Sequence, residues 1–243
     1  MGLFDLFRKK DGASADEREL QRLQKASQGK LSQDLDRQDA LERLASMGTA
    51  PAVRILLQRF DWALDPSIRD QEEKELALGG IVKAGDAAIP EIRTYCVKAQ
   101  SLTWPFKALR RLVDAEGFER ELLVLLERFD TDYQRNPEPK IQLLQALEEF
   151  SSDATRSGVE PFLDDSSEAV RFAAVNALFG IGSAQSVGPL VQVLANDESL
   201  RIRNRIAQGL VERSWDVPDG LQAGSLPPGF TLRGSVLVGA PRA

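Results

Sequence analysis

One pattern constrains this chain more than any other. Ala-Leu-x-x-apolar recurs as Ala40-Leu41-x-x-Leu44, Ala77-Leu78-x-x-Ile81, Ala108-Leu109-x-x-Leu112, Ala146-Leu147-x-x-Phe150 and Ala177-Leu178-x-x-Ile181, and a decayed sixth copy starts at Gly209-Leu210. The copies return roughly every 31–38 residues, the range of helical-repeat proteins. A unit of that length holds two short helices and cannot bury its apolar face alone. Stacking the units makes a continuous core. The expected fold is all-α: a right-handed α-solenoid of about six helical hairpins, followed by a short non-helical tail.

The fifth copy shows the local logic. Ser166 or Ser167 stands where a helix N-cap is wanted, and Val170, Ala174, Ala177, Leu178 and Ile181 form a 3.6-residue stripe. Gly182 follows as a C-terminal stop, because glycine tolerates a left-handed backbone. A second helix carries Val187, Leu190, Val191 and Leu194, with Pro189 in the first turn, where the amides have no intrahelical partner to lose. Pro90 and Pro161 are expected to take similar places in the second and fourth units.

The stretch "DDSSEAVRFAAVNALFGIG" (164–182) resembles a HEAT repeat of the short bacterial, lyase-like type, and "NDESLRIRNRIAQGL" (196–210) repeats it. The resemblance spans roughly residues 33–215 and implies the solenoid fold. In such repeats an Asp and an Arg form a ladder between neighbouring units. The resemblance assigns that role to Asp165, Arg171, Asp197 and Arg203. HEAT proteins include scaffolds, adaptors, bilin lyases and nucleic-acid enzymes, so the resemblance leaves activity open.

A second, longer period appears in "LLQRFD" (56–61) and "LLERFD" (125–130). Each copy leads into an extended connection, 62–70 and 131–139. Arg59, Trp62, Arg128 and Tyr133 belong to these segments, and Trp104 precedes Pro105 at a helix start. Aromatic and arginine residues on long loops are the residue types that anchor partners. The competing role is packing between unequal units. These five are the candidate partner-binding residues.

Composition excludes whole classes of chemistry. The 243 residues contain no histidine and one cysteine, Cys96. Ser-His-Asp and Cys-His catalysis, and zinc held by histidine, are therefore ruled out. A thiol without a base nearby reads as a packed core residue. No catalytic residue, metal or cofactor is expected. The Asp130-x-Asp132 pair is too sparse for a cation site and reads as loop capping. The net charge of −6 argues against nucleic acid as the main partner. The arginines of the last unit, Arg201, Arg203, Arg205 and Arg213, are expected to be structural or solvated.

The ends differ from the middle. Residues 1–12 form an amphipathic segment, 13–32 a capping helix opened by Ser14-x-x-Glu17, 33–216 the solenoid, and 217–243 a Gly/Pro-rich tail. In the tail, alternating Phe230, Leu232, Val236 and Val238 around Arg233-Gly234-Ser235 suggest a small hairpin that caps the last repeat. At the other end, Leu3, Phe4 and Phe7 precede Arg8, Lys9 and Lys10, the make-up of a weak membrane or partner foot. The lone cysteine and the lack of a signal-peptide pattern point to the cytoplasm. The expected function is a non-enzymatic scaffold or adaptor for one or more unidentified proteins. A bilin-lyase-type enzyme or enzyme subunit is the alternative, and a nucleic-acid-binding HEAT-like protein the second.

Overall fold

The structure, a computed structural model, describes residues 15–28, 34–218, 221 and 223–239. Twelve α-helices and one β-hairpin lie among them, grouped in two compact units. The first unit comprises the described residues through Ala99 together with Thr103–Asp114. The second comprises Gln100–Leu102 and the described residues from Ala115 onward. The fold class is an all-α solenoid with a short C-terminal tail.

The first unit begins with α1 (Ala15–Ser27), which packs on α2 (Asp34–Met47) through Leu23. Helices α2, α4 (Ser67–Lys83) and α6 (Thr103–Leu112) then pack side by side in one layer. Helices α3 (Ala50–Leu57) and α5 (Ile89–Cys96) pair in a second. The repeated residues explain the first layer. Ala40, Leu41, Ala77, Leu78, Ala108 and Leu109 are all buried. Fully burying each leucine contributes about 2 kcal/mol. The small residues set the spacing: a Cβ on Gly80 of α4 would stand 2.5 Å from the Ala45 Cα of α2. Only glycine permits helices that close.

The second unit repeats the scheme. Helices α8 (Glu138–Leu147), α10 (Glu168–Ile181) and α12 (Leu200–Arg213) form one layer. Helices α7 (Ala115–Leu126), α9 (Asp153–Val159) and α11 (Val187–Asn196) form the other, with a 3-10 turn over Glu160–Asp164 continuing α9 towards α11. Leu147, Ala177, Leu178 and Leu210 are buried, whereas Ala146 is only half-buried. The decayed sixth copy has a steric reason. A Cβ on residue 209 would lie 2.3 Å from the ring of Phe179, so Gly209 replaces the alanine to admit that ring.

Local details depart from expectation in two places. Ser167 is the N-cap of α10, but its side chain makes no capping bond; its amide instead donates to the Asp165 carboxylate at 2.8 Å. Pro161 lies in the 3-10 turn after α9 rather than at the start of an α-helix. Gly182 ends α10 with φ +74°, the left-handed stop its position suggests.

The tail takes the place of a last second-layer helix. Strands β1 (Phe230–Arg233) and β2 (Val236–Gly239) pair antiparallel, Arg233 opposite Val236. Gly234 opens the two-residue turn with φ +61°, the backbone a type II′ turn needs there. Leu237 of β2 is buried, and β2 packs against α12. The Val217 amide donates to the Ser235 carbonyl at 2.6 Å, so the chain entering the tail is tied to the hairpin turn.

Candidate functional site

The two extended connections are built differently. In the first unit, the 3-10 turn Gln58–Asp61 carries Arg59 inward from the end of α3. The guanidinium donates to Glu73 Oε2 and Asp70 Oδ1, each at 2.8 Å, and to the Trp62 carbonyl at 2.9 Å. Arg37 of α2 donates to the other oxygen of Glu73 at 2.8 Å. Lys74 completes the group on Asp70 at 2.7 Å. The Trp62 ring lies 3.8 Å from the Arg59 guanidinium carbon. Burial raises the Asp70 carboxyl, but Lys74, Arg59 and the Leu64 amide outweigh it and hold the group below the usual carboxylate range.

This corrects the reading of Arg59 as a partner-binding residue. It is 1% exposed, and its charge is spent on Glu73 and Asp70. Trp62 is half-buried, with Arg59 stacked on it. Trp104, also half-buried, stacks on Phe60 with centroids 5.3 Å apart, and Lys107 Nζ lies 3.9 Å over its ring. Both rings pack in part within the first unit.

In the second unit a lysine organises the connection. Lys140 at the start of α8 is 1% exposed. Its ammonium donates to Asp165 Oδ2 at 2.7 Å and to the Asp132 carbonyl at 3.0 Å. The Ser166 amide donates to the Thr131 carbonyl at 3.0 Å. The loop over residues 131–137 is thus fastened on both sides of Asp132 to the turn before α10. Tyr133, next in the chain, is left 79% exposed. Arg128 is also exposed.

The turn that holds this loop is one wall of a groove of about 620 Å³. Asp164, Asp165 and Ser166 line it on one side, Asn196, Asp197 and Glu198 on the other, and Pro189, Gln192 and Val193 of α11 form part of its lining. Asp165 and Asp197 are neutralised by Lys140 and Arg171. Asp164 and Glu198 remain exposed. The groove mouth is therefore acidic.

The ladder assigned by resemblance is present in part. Arg171 makes two bonds to Asp197, at 2.8 and 3.2 Å, and its third goes to the Asp165 carbonyl. Asp165 takes its cation from the preceding repeat, Lys140. Arg203 departs from the scheme: it meets no aspartate among the described residues and donates to the Leu194 and Ser225 carbonyls at 3.1 and 2.6 Å, tying the tail to the last repeat. Sequence reasoning missed Lys140. The signal was there: Lys140, Arg171 and Arg203 each stand six positions ahead of the Ala-Leu pair or its Gly209-Leu210 remnant.

Residues Leu3, Phe4, Phe7, Arg8, Lys9 and Lys10 lie outside the described residues, as does the Ser14 cap. Cys96 is buried in α5, and burial pushes its thiol up to about 12. Among the described residues no helix is long and apolar enough to cross a membrane, and no group of three or more carboxylates or thiols is placed to hold a metal. No curated protein sequence matches the chain. The stretch from residue 122 to residue 211, which contains the Lys140–Asp165 and Arg171–Asp197 rungs and the groove, matches the family model of HEAT repeats.

Proposed function

We propose that this chain is a non-enzymatic scaffold that binds a protein partner through the connecting edge of its second unit. Tyr133 carries the reading. It is 79% exposed on a loop that is itself pinned by a buried ion pair. Pinning the loop lowers the ordering cost of association, which is how a small surface gains affinity. Tyrosine also suits the role, offering a broad apolar ring and a polar tip. The groove beside the pinned turn adds charge selectivity. With Asp164 and Glu198 at its mouth, it suits a segment carrying a basic side chain. Cytoplasmic residence belongs to the same reading, since the one cysteine is a free, buried thiol.

The test is capture of partners from the native cell extract by the parent and by Tyr133→Ala. The variant is expected to lose the captured protein while its helicity and melting temperature stay those of the parent. An unchanged captured set at unchanged stability would remove Tyr133 from the binding surface.

A further inference from the structure

Several cations elsewhere in the solenoid meet carboxylates: Arg54 meets Glu91, Arg59 meets Glu73, Lys140 meets Asp165, Arg171 meets Asp197. Helix α12 is different. Arg201, Arg203, Arg205 and Arg213 meet no carboxylate among the described residues. Arg203 is used up on the Leu194 and Ser225 carbonyls. The other three lie on aromatic rings. The Arg201 guanidinium carbon stands 3.7 Å from the centre of Phe172, and that of Arg205 4.7 Å from Phe179. Arg213 lies 5.3 Å from both Phe179 and Trp215, and it donates to the Phe179 carbonyl. Phe179 and Trp215 stack on each other, and Gly209 exists to admit the Phe179 ring.

Arg201 and Arg205 are one helical turn apart and so share a face of α12. Phe172 and Asn176 are likewise one turn apart on α10, and Arg205 Nε donates to Asn176 Oδ1 at 2.7 Å. Arg201, exposed, spends none of its N–H donors on a hydrogen bond among the described residues. A guanidinium lying over a ring keeps N–H donors for a ligand, with less rotamer freedom to lose on binding. The free fork of Arg201, beside the donors Arg205 keeps after bonding Asn176, matches carboxylates.

We propose that this face of α10 and α12, with Arg201 and Arg205 at its centre, docks a short acidic segment of a protein partner. The proposal rests on the scaffold reading only in taking a protein as the ligand; the surface is separate from the Tyr133 loop and of opposite charge to the groove. Charge decides for a short acidic peptide over a long polyanion. Glu168 stands one turn before Phe172 and accepts from Ser199, Glu148 packs over Gly180, and Glu212 follows Gln208 on the arginine face. The positive patch is thus bounded by carboxylates, and the chain as a whole carries −6. A few carboxylates fit within those bounds, whereas a nucleic-acid backbone running past them is repelled.

The experiment is fluorescence anisotropy of a fluorescein-labelled glutamate-rich peptide on the full chain at low salt. The parent should bind it, and the double variant R201Q/R205Q should bind about tenfold more weakly or worse, with unchanged circular dichroism and melting. R201Q alone keeps the test sound should the double variant unfold, because Arg201 makes no hydrogen bond or ion pair among the described residues; it should show a smaller loss of the same kind. Tyr133→Ala should bind the peptide as the parent does. No binding by the parent, equal binding by the folded variants, or tighter binding of an oligonucleotide of matched charge overturns the proposal. Loss of peptide binding in Tyr133→Ala, with the arginine variants intact, overturns it in favour of the connecting edge. Loss in the arginine variants alone, with unaltered extract capture by Tyr133→Ala, keeps this surface and removes the other.

Discussion

Arg59 and Arg128 occupy the same place in two copies of one hexapeptide, and the structure treats them oppositely. Arg59 is 1% exposed and holds two carboxylates; Arg128 is exposed. The hexapeptide does not decide the outcome, since LLQRFD and LLERFD differ only at the position before the arginine. The helix that follows decides it. Counted from the Ala-Leu pair of each, Glu73 of α4 corresponds to Gln142 of α8, and Asp70 to Pro139. A buried guanidinium needs a carboxylate to offset its lost hydration. The first unit supplies two and the second supplies none at those positions. Arg128 therefore stays in water, and the second unit buries a different cation, Lys140, against an aspartate from the next repeat. The first unit closes its long connection under Trp62. The second pins its connection and leaves Tyr133 outside. The same repeat thus yields a packed joint in one unit and a presented loop in the other.

The sharpest way to break this comparison is Glu73→Gln. It takes from Arg37 and Arg59 the carboxylate they share, and a neutral amide cannot neutralise either. Removing one partner of a buried ion pair costs about 3–5 kcal/mol, and with two arginines involved the upper end is expected. Urea denaturation followed by circular dichroism should show the loss directly. A midpoint within error of the parent would mean the Arg59 cluster contributes nothing to closing the joint. Lys140→Met is the matching test in the second unit. It keeps volume but strands Asp165, whose remaining donor is the Ser167 amide, so about 3 kcal/mol should go. It should also free the 131–137 loop, read as faster proteolysis at that loop while the helices still resist.

These variants also mark where sequence reasoning stops. The layers were legible because Ala-Leu spacing reports helix contact directly, and Leu41, Leu78, Leu109, Leu147, Leu178 and Leu210 are all buried. The Arg171–Asp197 rung was legible through the family motif. The fate of Arg59 was not, because burial of a charge depends on carboxylates 11 and 14 residues away along the chain, brought back by α4. Tyr133 stood out as an aromatic on a long loop, as did Trp62; what separates them is the partner beneath each ring, which one-dimensional spacing does not encode. The groove and the stacked arginines of α12 were illegible for the same reason. Residues 201 and 205 look like ordinary solvated charges until Phe172 and Phe179 of the neighbouring helix are placed under them.

Two smaller effects sharpen the contrast. Trp62→Ala removes a half-buried ring that covers the Arg59 guanidinium, and about 2 kcal/mol of stability should be lost with little change in helicity. Tyr133→Ala should lose almost none, and equal losses for the two would erase the distinction between packed and presented aromatic. The second effect concerns acid. Asp70 is held below the ordinary carboxylate range when folded, so the stabilisation it brings is present above its unfolded pKa and is lost as pH falls through the folded value. Stability measured from pH 6 downward should therefore fall less steeply below about pH 4 in Asp70→Asn than in the parent. Parallel acid limbs would show that the cluster does not hold Asp70 ionised.

The smallest effect is the most pointed. Arg128→Ala should change stability by no more than about 0.5 kcal/mol, the usual range for a surface substitution. Arg128 is exposed, its backbone amide serves the last turn after α7 whatever its side chain, and no ion pair joins it to another described residue. Arg59→Ala at the corresponding place should cost several kcal/mol, because Glu73 and Asp70 would lose the cation that neutralises them inside the unit. The two variants alter the same residue in the same motif, so unfolded-state effects largely cancel between them. What remains is the difference made by Glu73 and Asp70 against Gln142 and Pro139. Similar midpoint shifts for the two in urea would mean that the following helix does not decide the arginine's fate, and the account of the packed joint would have to be given up.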